Sequence, residues 1–269
     1  MDAVPAALPI LHAIVLGIVQ GLTEFLPVSS SGHLIIVPWL FGWTELTRNP
    51  ELNRSFDVAL HMGTFVGAVA YFRNDLWRLA TSDRRLGLLI GLSTVPAVLA
   101  GVALQSVVDD QLSAEWLIGV MLVVFGLVLA WADRLPGRQD ISSFGPREAL
   151  WMGAAQAAAL QPGVSRSGAT MSMGRYLGFD RDASARISFL MSLPIIAGAG
   201  VFQGAKVMAD GGLPAGVGPA FAWGVVTSGV TGFIAVWALL RLIRTRSFTP
   251  FVAYRVVAGL AVIAVALIK

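Results

Sequence analysis

The stretch Gln20–His33 reads QGLTEFLPVSSSGH, and it interrupts a region that is otherwise apolar: AIVLGIV precedes it and LIIVPWLFG follows it. Irregular backbone is tolerated at membrane depth only where it is buried in protein or lines a wet cavity. A glutamate, a histidine and three serines around Pro27 therefore predict a functional break in a membrane-embedded helix.

The composition supports a membrane location. Of the 269 residues, 56% are hydrophobic and only 13% are charged, and the mean hydropathy is +0.73, whereas a soluble domain carries about 25% charged residues. The chain has no cysteine, which excludes disulfides, thiolate nucleophiles and cysteine metal sites. The sequence pI is about 9.8, but the arginines are scattered at predicted helix ends, so no nucleic-acid partner is predicted.

The apolar segments predict an all-α polytopic membrane protein. A helix needs about 20 apolar residues to cross the hydrocarbon core. Two longer regions, Ile10–Gly42 and Ala149–Gly178, are broken by Pro, Gly and polar residues, and we predict that each forms a re-entrant helix–turn–helix hairpin. Six segments are predicted to span: Phe56–Phe72, Leu86–Gln105, Trp116–Ala132, Ala185–Gln203, Phe221–Leu240 and Phe251–Ile268.

Charge predicts the orientation of this arrangement. One face holds thirteen arginines: Arg73, Arg78, Arg84, Arg85, Arg134, Arg138, Arg147, Arg175, Arg181, Arg186, Arg241, Arg244 and Arg246. The other face holds four basic residues (Arg48, Arg54, Lys206 and Lys269) and five acidic ones (Glu45, Glu51, Asp109, Asp110 and Glu115). The arginine-rich face is therefore predicted to be cytoplasmic. Arg255 is predicted to extend its guanidinium to that interface, which Arg166 at the second hairpin tip cannot easily do.

An internal repeat is visible when the sequence is shifted by 136 residues. GIVQGLTEFLPVSSSG (Gly17–Gly32) then falls on GAAQAAALQPGVSRSG (Gly153–Gly168), with matched Gln, Ser and Gly positions. Each copy holds one hairpin and three spans, and an odd number of spans turns the second copy upside down.

We therefore predict one membrane domain, residues 1–269, made of inverted repeats 1–135 and 136–269. Such repeats place a binding site near the midplane, where the two helix breaks meet. The repeat is asymmetric at the break, because Ser30 of the first copy corresponds to Arg166 of the second.

Glu24 and Arg166 are the only formal charges that we place deep in the membrane. An ionisable group there is costly and indicates function by default, although an ion pair that braces the two hairpins is the alternative. Arginine suits phosphate because its planar fork donates two parallel charged hydrogen bonds.

Gln20 and Glu24 are four residues apart and share one helix face. Two acids at this spacing could hold a divalent cation such as Mg²⁺ or Ca²⁺, and an amide oxygen can also be a ligand, but with less charge. The sequence therefore allows a cation at Gln20 and Glu24 without requiring one.

The serine-rich tips are typical of anion sites. The run of Ser29, Ser30 and Ser31 leads into a helix, as does SRSGAT at Ser165–Thr170, and a turn that opens a helix presents free N–H groups. The predicted phosphate-binding residues are Ser29, Ser31, Ser165, Ser167 and Thr170. Because Ser167 and Thr170 are also spaced as an N-cap and its partner, they are equally interpreted as capping residues.

The three histidines are predicted to have different roles. His33 follows Ser30 by three residues and is predicted to act as a general acid or base, the alternative being a structural role. His61, near the outer end of a predicted span, is given a minor role at best, and His12 is predicted to be interfacial.

Three motifs together resemble one family: QGLTEFLPVSSSGHLIIVPWLFG, FDVALHMGT and QPGVSRSGATMS. They are similar to those of the undecaprenyl-diphosphatase family, known as bacitracin-resistance proteins, and the likeness covers nearly the whole chain. The resemblance implies a bacterial plasma-membrane enzyme with its active site open to the outer face. It also implies a polyprenyl diphosphate substrate, from which the terminal phosphate is removed to give the monophosphate carrier of cell-wall precursors.

The resemblance also implies roles for individual residues. Glu24 matches the second acid of an E/Q-x-x-x-E motif, Ser30 and His33 match the catalytic serine and histidine, and Arg166 matches the phosphate-binding arginine. The pocket around them is matched by Ser29, Ser165, Ser167 and Thr170. Gln20 stands where some members have a first glutamate, which puts a two-carboxylate metal site in doubt.

Several alternatives remain open at this stage. Ser30 is the candidate nucleophile, with His33 or Glu24 taking its proton, but water could attack while Ser30 positions the phosphate. A flippase or other transporter would use the same midplane site without hydrolysis. The lipid phosphatase superfamily is set aside, because no K-x6-R-P precedes SSSGH and no matching His–Asp follows VSRSG. The sequence predicts no oligomeric state.

Overall fold

The computed structural model describes residues 8–46, 48–111 and 114–268, and for residues 104–111 it describes the backbone alone. The side chains of Asp109 and Asp110, together with Lys269, lie outside the described residues, so their assignment to one face stays a prediction. The described residues contain no strand, and one isolated bridge joins Gln139 to Phe179.

The described part of the chain forms two short helices followed by three long ones, and then repeats that order. The helices are α1 (Ile10–Phe25), α2 (Ser30–Phe41), α3 (Pro50–Thr81), α4 (Arg84–Gln111), α5 (Glu115–Arg134), α6 (Pro146–Ala158), α7 (Arg166–Tyr176), α8 (Arg181–Ala209), α9 (Gly218–Ile243) and α10 (Thr249–Ile268).

Six of these helices, α3, α4, α5, α8, α9 and α10, are long and apolar enough to cross a membrane, α4 over Arg84–Ala103. The prediction of an all-α polytopic membrane protein with six spans is thereby confirmed. The remaining four have 16, 12, 13 and 11 residues, which is fewer than the roughly 20 that a span needs.

The first short pair, α1 and α2, returns to the end of the helix bundle from which it starts. Near the beginning of α1, the His12 ring stacks on Trp43, which follows α2, with 3.8 Å between ring centroids. His12 Nδ1 also lies 3.4 Å from Oε1 of Glu45. These contacts hold the two ends of the pair together, so the pair forms a hairpin.

The second short pair, α6 and α7, is a hairpin at the opposite end. Gln139, which precedes α6, donates its N–H to the carbonyl of Gly178 at 3.0 Å and accepts from the N–H of Asp180 at 2.9 Å. Arg175, near the end of α7, donates to the Leu135 carbonyl.

The long helices alternate between these two ends. At the arginine-rich end, Arg181 of α8 donates to Asp133 of α5 at 2.5 Å, and the other Asp133 oxygen accepts from Phe248 N at 3.0 Å. At the opposite end, Gln203 of α8 donates to Ser55 of α3 at 3.0 Å. The basic loops that follow α5, α7 and α9 therefore meet at one end of the bundle, and the two hairpins enter from opposite ends.

The helices pack unequally in the two halves. A Cβ added at Gly17, Gly21, Gly63 or Gly67 would collide with a backbone carbonyl oxygen of α9, so α1 and α3 approach α9 at the distance that only small residues allow. The faces of α4 and α8 that correspond to the α3–α9 contact are open beside the tips. A Cβ at Gly101 of α4 would first meet Leu160 at 4.0 Å, and one at Gly198 of α8 would meet nothing within 4 Å.

Candidate active site

The two hairpin tips meet in the interior of the bundle. The Gly163 N–H donates to Oγ of Ser29 at 3.1 Å, and Ser167 Oγ donates to the Leu26 carbonyl at 2.9 Å. Helices α2 and α7 both begin at this meeting point. The first N–H groups of a helix have no partner within the helix, so two helix N-termini present donors to the same region.

Each tip is held by a strained serine. Ser29 has φ 76° and Ser165 has φ 72°, and they are the only non-glycine residues with positive φ in the described part of the chain. Such a conformation costs about 1–3 kcal/mol and is found at functional sites. Each serine also caps the next helix, since its Oγ accepts from an N–H three residues on, at Gly32 and Gly168 respectively. The cap of α7 is thus Ser165, which corrects the interpretation of Ser167 as the N-cap.

Glu24 is the centre of the polar network at the tips. Its side chain is 2% exposed and forms an ion pair with Arg166 through Oε1. The other oxygen, Oε2, accepts from Ser30 Oγ at 2.5 Å and from Gln20 Nε2 at 3.0 Å. The Ser30 hydroxyl therefore points its proton at a carboxylate that the Arg166 cation stabilises.

His61 of α3 belongs to this network, although the sequence had assigned it a minor role. Its Nε2 lies 3.4 Å from Oε2 of Glu24, and its Nδ1 lies 2.7 Å from the carbonyl of Asp57. A carbonyl only accepts, so Nδ1 carries the proton and Nε2 is the atom that faces the carboxylate. The signal in the sequence was its place within FDVALHMGT, but only the packing of α3 beside α1 brings it to Glu24.

His33, which the sequence placed with the acid–base groups, faces the other way. Its Nδ1 donates to the Ser29 carbonyl at 2.6 Å, and its Nε2 therefore accepts from the Tyr254 hydroxyl at 2.6 Å. The side chain is buried and does not border the cavity at the tips. The structure thus joins His33 to α10 and to the backbone of the tip, and does not bring it to Glu24 or Ser30.

Arg255 of α10 corrects two predictions. It was expected to extend to the cytoplasmic interface, yet it is 0% exposed, so Glu24 and Arg166 are not the only charges in the interior. Its guanidinium makes five hydrogen bonds to main-chain carbonyls: those of Pro27, Met121, Leu122, Gly163 and Val164. It points inward because both tips offer it main-chain carbonyl oxygens, those of Pro27, Gly163 and Val164, that have no backbone donor among the described residues.

A cavity of about 630 Å³ opens at the tips. Its polar end is lined by Glu24, Ser29, Ser30, Ser31, His61, Gln156, Ser165 and Arg166, and its apolar walls come from α4 and α8. Of the residues predicted for the site, the cavity therefore collects Glu24, Arg166 and four serines. A site of this size with a few convergent polar groups is typical of ligand pockets.

Ser167 and Thr170 lie outside the lining of this cavity. Ser167 is committed to the Leu26 carbonyl, as described above. Thr170 is fully buried, where it donates to the Arg166 carbonyl at 2.8 Å and pairs with Ser188 Oγ at 2.6 Å. Both residues hold α7 to its neighbours, so their assignment as phosphate ligands has no geometric support.

Gln156 of α6 is a cavity residue that the sequence reasoning missed. It is 3% exposed, and neither its amide nitrogen nor its amide oxygen has a hydrogen-bond partner. A buried amide without a partner costs about 1–3 kcal/mol, and here it borders the cavity. The repeat could have found it, because Gln156 corresponds to Gln20.

The residues around Glu24 do not form a cage for a divalent cation. Both carboxylate oxygens already accept from donors, and Gln20 turns its nitrogen to Glu24 while its Oε1 is buried without a partner. The described residues contain no group of three or more His, Cys, Asp or Glu that could hold a metal. Mg²⁺ and Ca²⁺ take six or more oxygen ligands, which is more than Glu24 and Gln20 can supply.

The fold and the site define a class: a polytopic helical membrane protein whose re-entrant hairpins join a glutamate, a serine and an arginine in a cavity with apolar walls. Comparison with known families narrows this class. The family profile described as "Bacitracin resistance protein BacA" matches residues 13–261. The chain belongs to this family, and the resemblance predicted from its motifs is confirmed.

Curated relatives extend over nearly the full length. A protein of Desulforudis audaxviator is 48% identical over 270 residues, covering 96% of this chain and 98% of the relative. A protein of Pelobacter propionicus is 47% identical over 274 residues, covering 96% and 97%. One of Nocardioides sp. is 45% identical over 266 residues, covering 93% and 94%. All three carry the name undecaprenyl-diphosphatase.

Proposed function

We propose that this protein hydrolyses undecaprenyl diphosphate to undecaprenyl phosphate and inorganic phosphate. The names of its relatives support this reaction. The observation that carries it is the joint position of three groups on one cavity. Ser30 donates to one oxygen of Glu24, Arg166 pairs with the other, and an apolar channel leads away from them.

Substrate binding follows from the donors at the tips. Arg166 supplies a planar fork that matches phosphate oxygens, and the first N–H groups of α2 and α7 supply further donors. The amide of Gln156, which has no partner in the protein, supplies another. These donors stabilise the charge on the phosphoryl oxygens in the transition state.

The chemistry runs in two steps. Ser30 Oγ attacks the terminal phosphorus while its proton passes to Glu24, a Ser30 O–P bond forms, and the P–O–P bridge breaks to release undecaprenyl phosphate. Water then attacks the phosphorus of the phosphoserine, the Ser30 O–P bond breaks, the proton held by Glu24 returns to Ser30 Oγ, and inorganic phosphate leaves. The rival route, in which water attacks directly, gives no phosphoserine, and acid quenching of a reaction with terminally ³²P-labelled substrate separates the two.

His61 completes the proton path. Because Nδ1 is committed to the Asp57 carbonyl, Nε2 is free to exchange a proton with the Glu24 carboxylate 3.4 Å away. His61 then serves as general acid or base. His33, whose two nitrogens are both bonded, keeps the Ser29 tip in place.

A divalent cation, which the sequence allows at Gln20 and Glu24, is also part of the proposal. If a divalent cation accompanies the diphosphate, Glu24 and Gln20 Oε1 are the residues that would help to hold it. When bound it adds positive charge beside the phosphoryl group. EDTA should lower the rate and Mg²⁺ or Ca²⁺ should restore it, while Gln20→Glu should strengthen the cation dependence. An EDTA-treated enzyme with full activity would remove the cation from the scheme.

The orientation is also part of the proposal. The basic loops after α5, α7 and α9 meet at one end of the bundle, as described above, and the positive-inside rule assigns that end to the cytoplasm. The protein then lies in the bacterial plasma membrane as a single domain of two inverted repeats, with the site open to the outer face. Cysteines placed singly in the cysteine-free chain test this, because a membrane-impermeant maleimide should label Arg54→Cys but not Arg246→Cys in intact cells.

A carrier function is the second candidate, and one observation favours it. Two hairpins that enter from opposite ends and meet inside the bundle are typical of transporters. A flippase for polyprenyl phosphate would use Arg166 and the tips for binding alone. Purified protein in detergent distinguishes the two functions, since only an enzyme releases phosphate there, whereas a carrier moves lipid between liposome leaflets without release.

The decisive experiment measures phosphate release from undecaprenyl diphosphate by the purified protein in detergent. The wild type should turn over, and Ser30→Ala and Arg166→Ala should each lose at least about a hundredfold in kcat. Gly204→Leu, a membrane-facing change away from the cavity, is the control for expression and insertion. Near-normal release by Arg166→Ala would overturn the proposal.

A further inference from the structure

The cavity at the tips continues between two transmembrane helices. Beyond Glu24 and Arg166, its walls are formed by α4, with Ala97, Val98, Gly101 and Val102, and by α8, with Pro194, Ile195, Gly198, Ala199 and Phe202. A ligand whose charged end lies at the tips therefore has its apolar end between α4 and α8.

This gap is kept open by glycines. The repeat relates α4 to α9 and α8 to α3, yet α3 packs against α9 so closely that Gly63 and Gly67 leave no room for a Cβ. Between α4 and α8, by contrast, Gly101 and Gly198 border the cavity, and the space that a Cβ would occupy at each of them is empty. The equivalent pair of helices is thus closely packed in the first case and leaves a gap beside the tips in the second.

The mouth of the gap faces lipid. Val98, Val102 and Phe202 line the cavity and yet are 52%, 81% and 70% exposed. Val102 lies eighteen residues after the start of α4 at the arginine-rich end, which is about 27 Å along the helix axis. The mouth is therefore near the opposite end, which the proposed orientation assigns to the outer half of the bilayer.

The size of the substrate requires such an opening. A chain of eleven isoprene units has 55 carbon atoms, and at even half of the ~30 Å³ that one water takes in the liquid it fills about 800 Å³. The cavity measures about 630 Å³ and must also hold the diphosphate. Most of the tail must therefore leave the protein, and the bilayer is the apolar solvent that receives it.

We propose that the gap between α4 and α8 is a lateral portal that binds the proximal part of the prenyl tail and passes the rest into the bilayer, with Gly101 and Gly198 setting its width. The proposal rests on the proposed function, because it takes the diphosphate at the tips as the anchor of the tail. The width of the portal then determines selectivity for long prenyl chains.

The test compares Gly198→Leu and Gly198→Trp with the wild type on undecaprenyl diphosphate and on farnesyl diphosphate, which has three isoprene units. Leucine is a better helix former than glycine, and the added side chain meets open space, so both variants should fold. We expect the ratio of kcat/KM for the long over the short substrate to fall at least tenfold, and further for Trp than for Leu.

Gly204→Leu is the matched control, because Gly204 lies on α8 with nothing within 4 Å of an added Cβ but does not border the cavity. It should keep the wild-type ratio. An unchanged ratio in Gly198→Trp, or the same fall in Gly204→Leu, would overturn the portal. If the wild type releases no phosphate from either substrate, the proposed function fails instead.

A second measurement is independent of turnover. A prenyl diphosphate that carries a diazirine in its third isoprene unit should label α4 and α8 in the wild-type protein, and unlabelled undecaprenyl phosphate should compete. Labelling confined to α3 or α9, or competition by phospholipid as strong as that by the prenyl phosphate, would contradict the proposal.

Discussion

His61 Nε2 lies 3.4 Å from Oε2 of Glu24, the same oxygen that accepts the hydroxyl proton of Ser30. Two groups that can exchange a proton with Glu24, the His61 imidazole and the Ser30 hydroxyl, thus lie against one oxygen of its carboxylate on the wall of the cavity. The contact between His61 and Glu24 joins α3 to the first hairpin tip. Through Glu24, the His61 imidazole can receive the proton that the Ser30 hydroxyl loses.

The two histidines should therefore respond differently to the same change. We expect His61→Gln to lower kcat about 10²–10⁴-fold, the usual contribution of a positioned acid or base, without a large loss of stability. His33→Gln should mainly lower the unfolding temperature, since His33 links the Ser29 carbonyl to Tyr254. Phosphate-release kinetics and thermal unfolding of both variants check this, and wild-type kcat in His61→Gln would remove it from the proton path.

Arg166→Lys tests whether the shape of the guanidinium matters beyond its charge. Lysine keeps the positive charge beside Glu24 but loses the planar fork that holds two phosphate oxygens. We expect kcat/KM to fall roughly 10–100-fold, and to fall further in Arg166→Ala. Equal rates for Arg166→Lys and the wild type would show that Arg166 acts as a point charge that braces Glu24.

Gln156→Leu should separate binding from stability. The Gln156 amide is buried without a partner, so an apolar side chain of similar size removes an unsatisfied group worth about 1–3 kcal/mol. The variant should unfold at a higher temperature than the wild type, while its KM for the diphosphate rises about tenfold. Gln20→Leu is the comparison, because it breaks the hydrogen bond to Glu24 and should lower kcat. A Gln156→Leu protein with unchanged KM would show that the amide does not contact substrate.

Arg255→Met should loosen both hairpin tips at once. It removes five donors and leaves the carbonyls of Pro27, Gly163 and Val164 without partners in the interior. A loss of about 3 kcal/mol or more is expected, or roughly 5–10 °C in unfolding temperature. Arg255→Lys should recover part of this loss, since lysine keeps the charge but has only three donors. Wild-type stability in Arg255→Met would mean that the tips do not depend on this residue.

The sequence could predict the long helices because their signal is local. Uninterrupted apolar length identifies a span wherever it occurs, so all six predicted segments fall within observed helices. The observed α3 is longer than its predicted segment, running over Pro50–Thr81, because polar residues that extend it beyond the hydrocarbon do not register as apolar. The hairpins were likewise marked by their own Pro, Gly and polar residues.

The site was predicted in part. Glu24, Ser30 and Arg166 stood out because charge and polarity are rare in an apolar chain. The roles of the histidines could not be predicted from sequence, because the direction in which a side chain points depends on the helix packed against it. His33 and Glu24 are near in sequence but face different neighbours, whereas His61 is 37 positions from Glu24 and contacts it.

The sequence by itself determined which segments lie in the membrane, where the helices break, and which few residues carry charge there, since these depend on the cost of polar groups in hydrocarbon. Only the tertiary structure decided that Arg255 points inward to the tips, that Gln156 is left without a partner, and that α4 and α8 leave a gap beside the tips. Those features arise from contacts between segments far apart in the chain, such as Arg255 with Val164, 91 positions away, and no local pattern encodes such contacts.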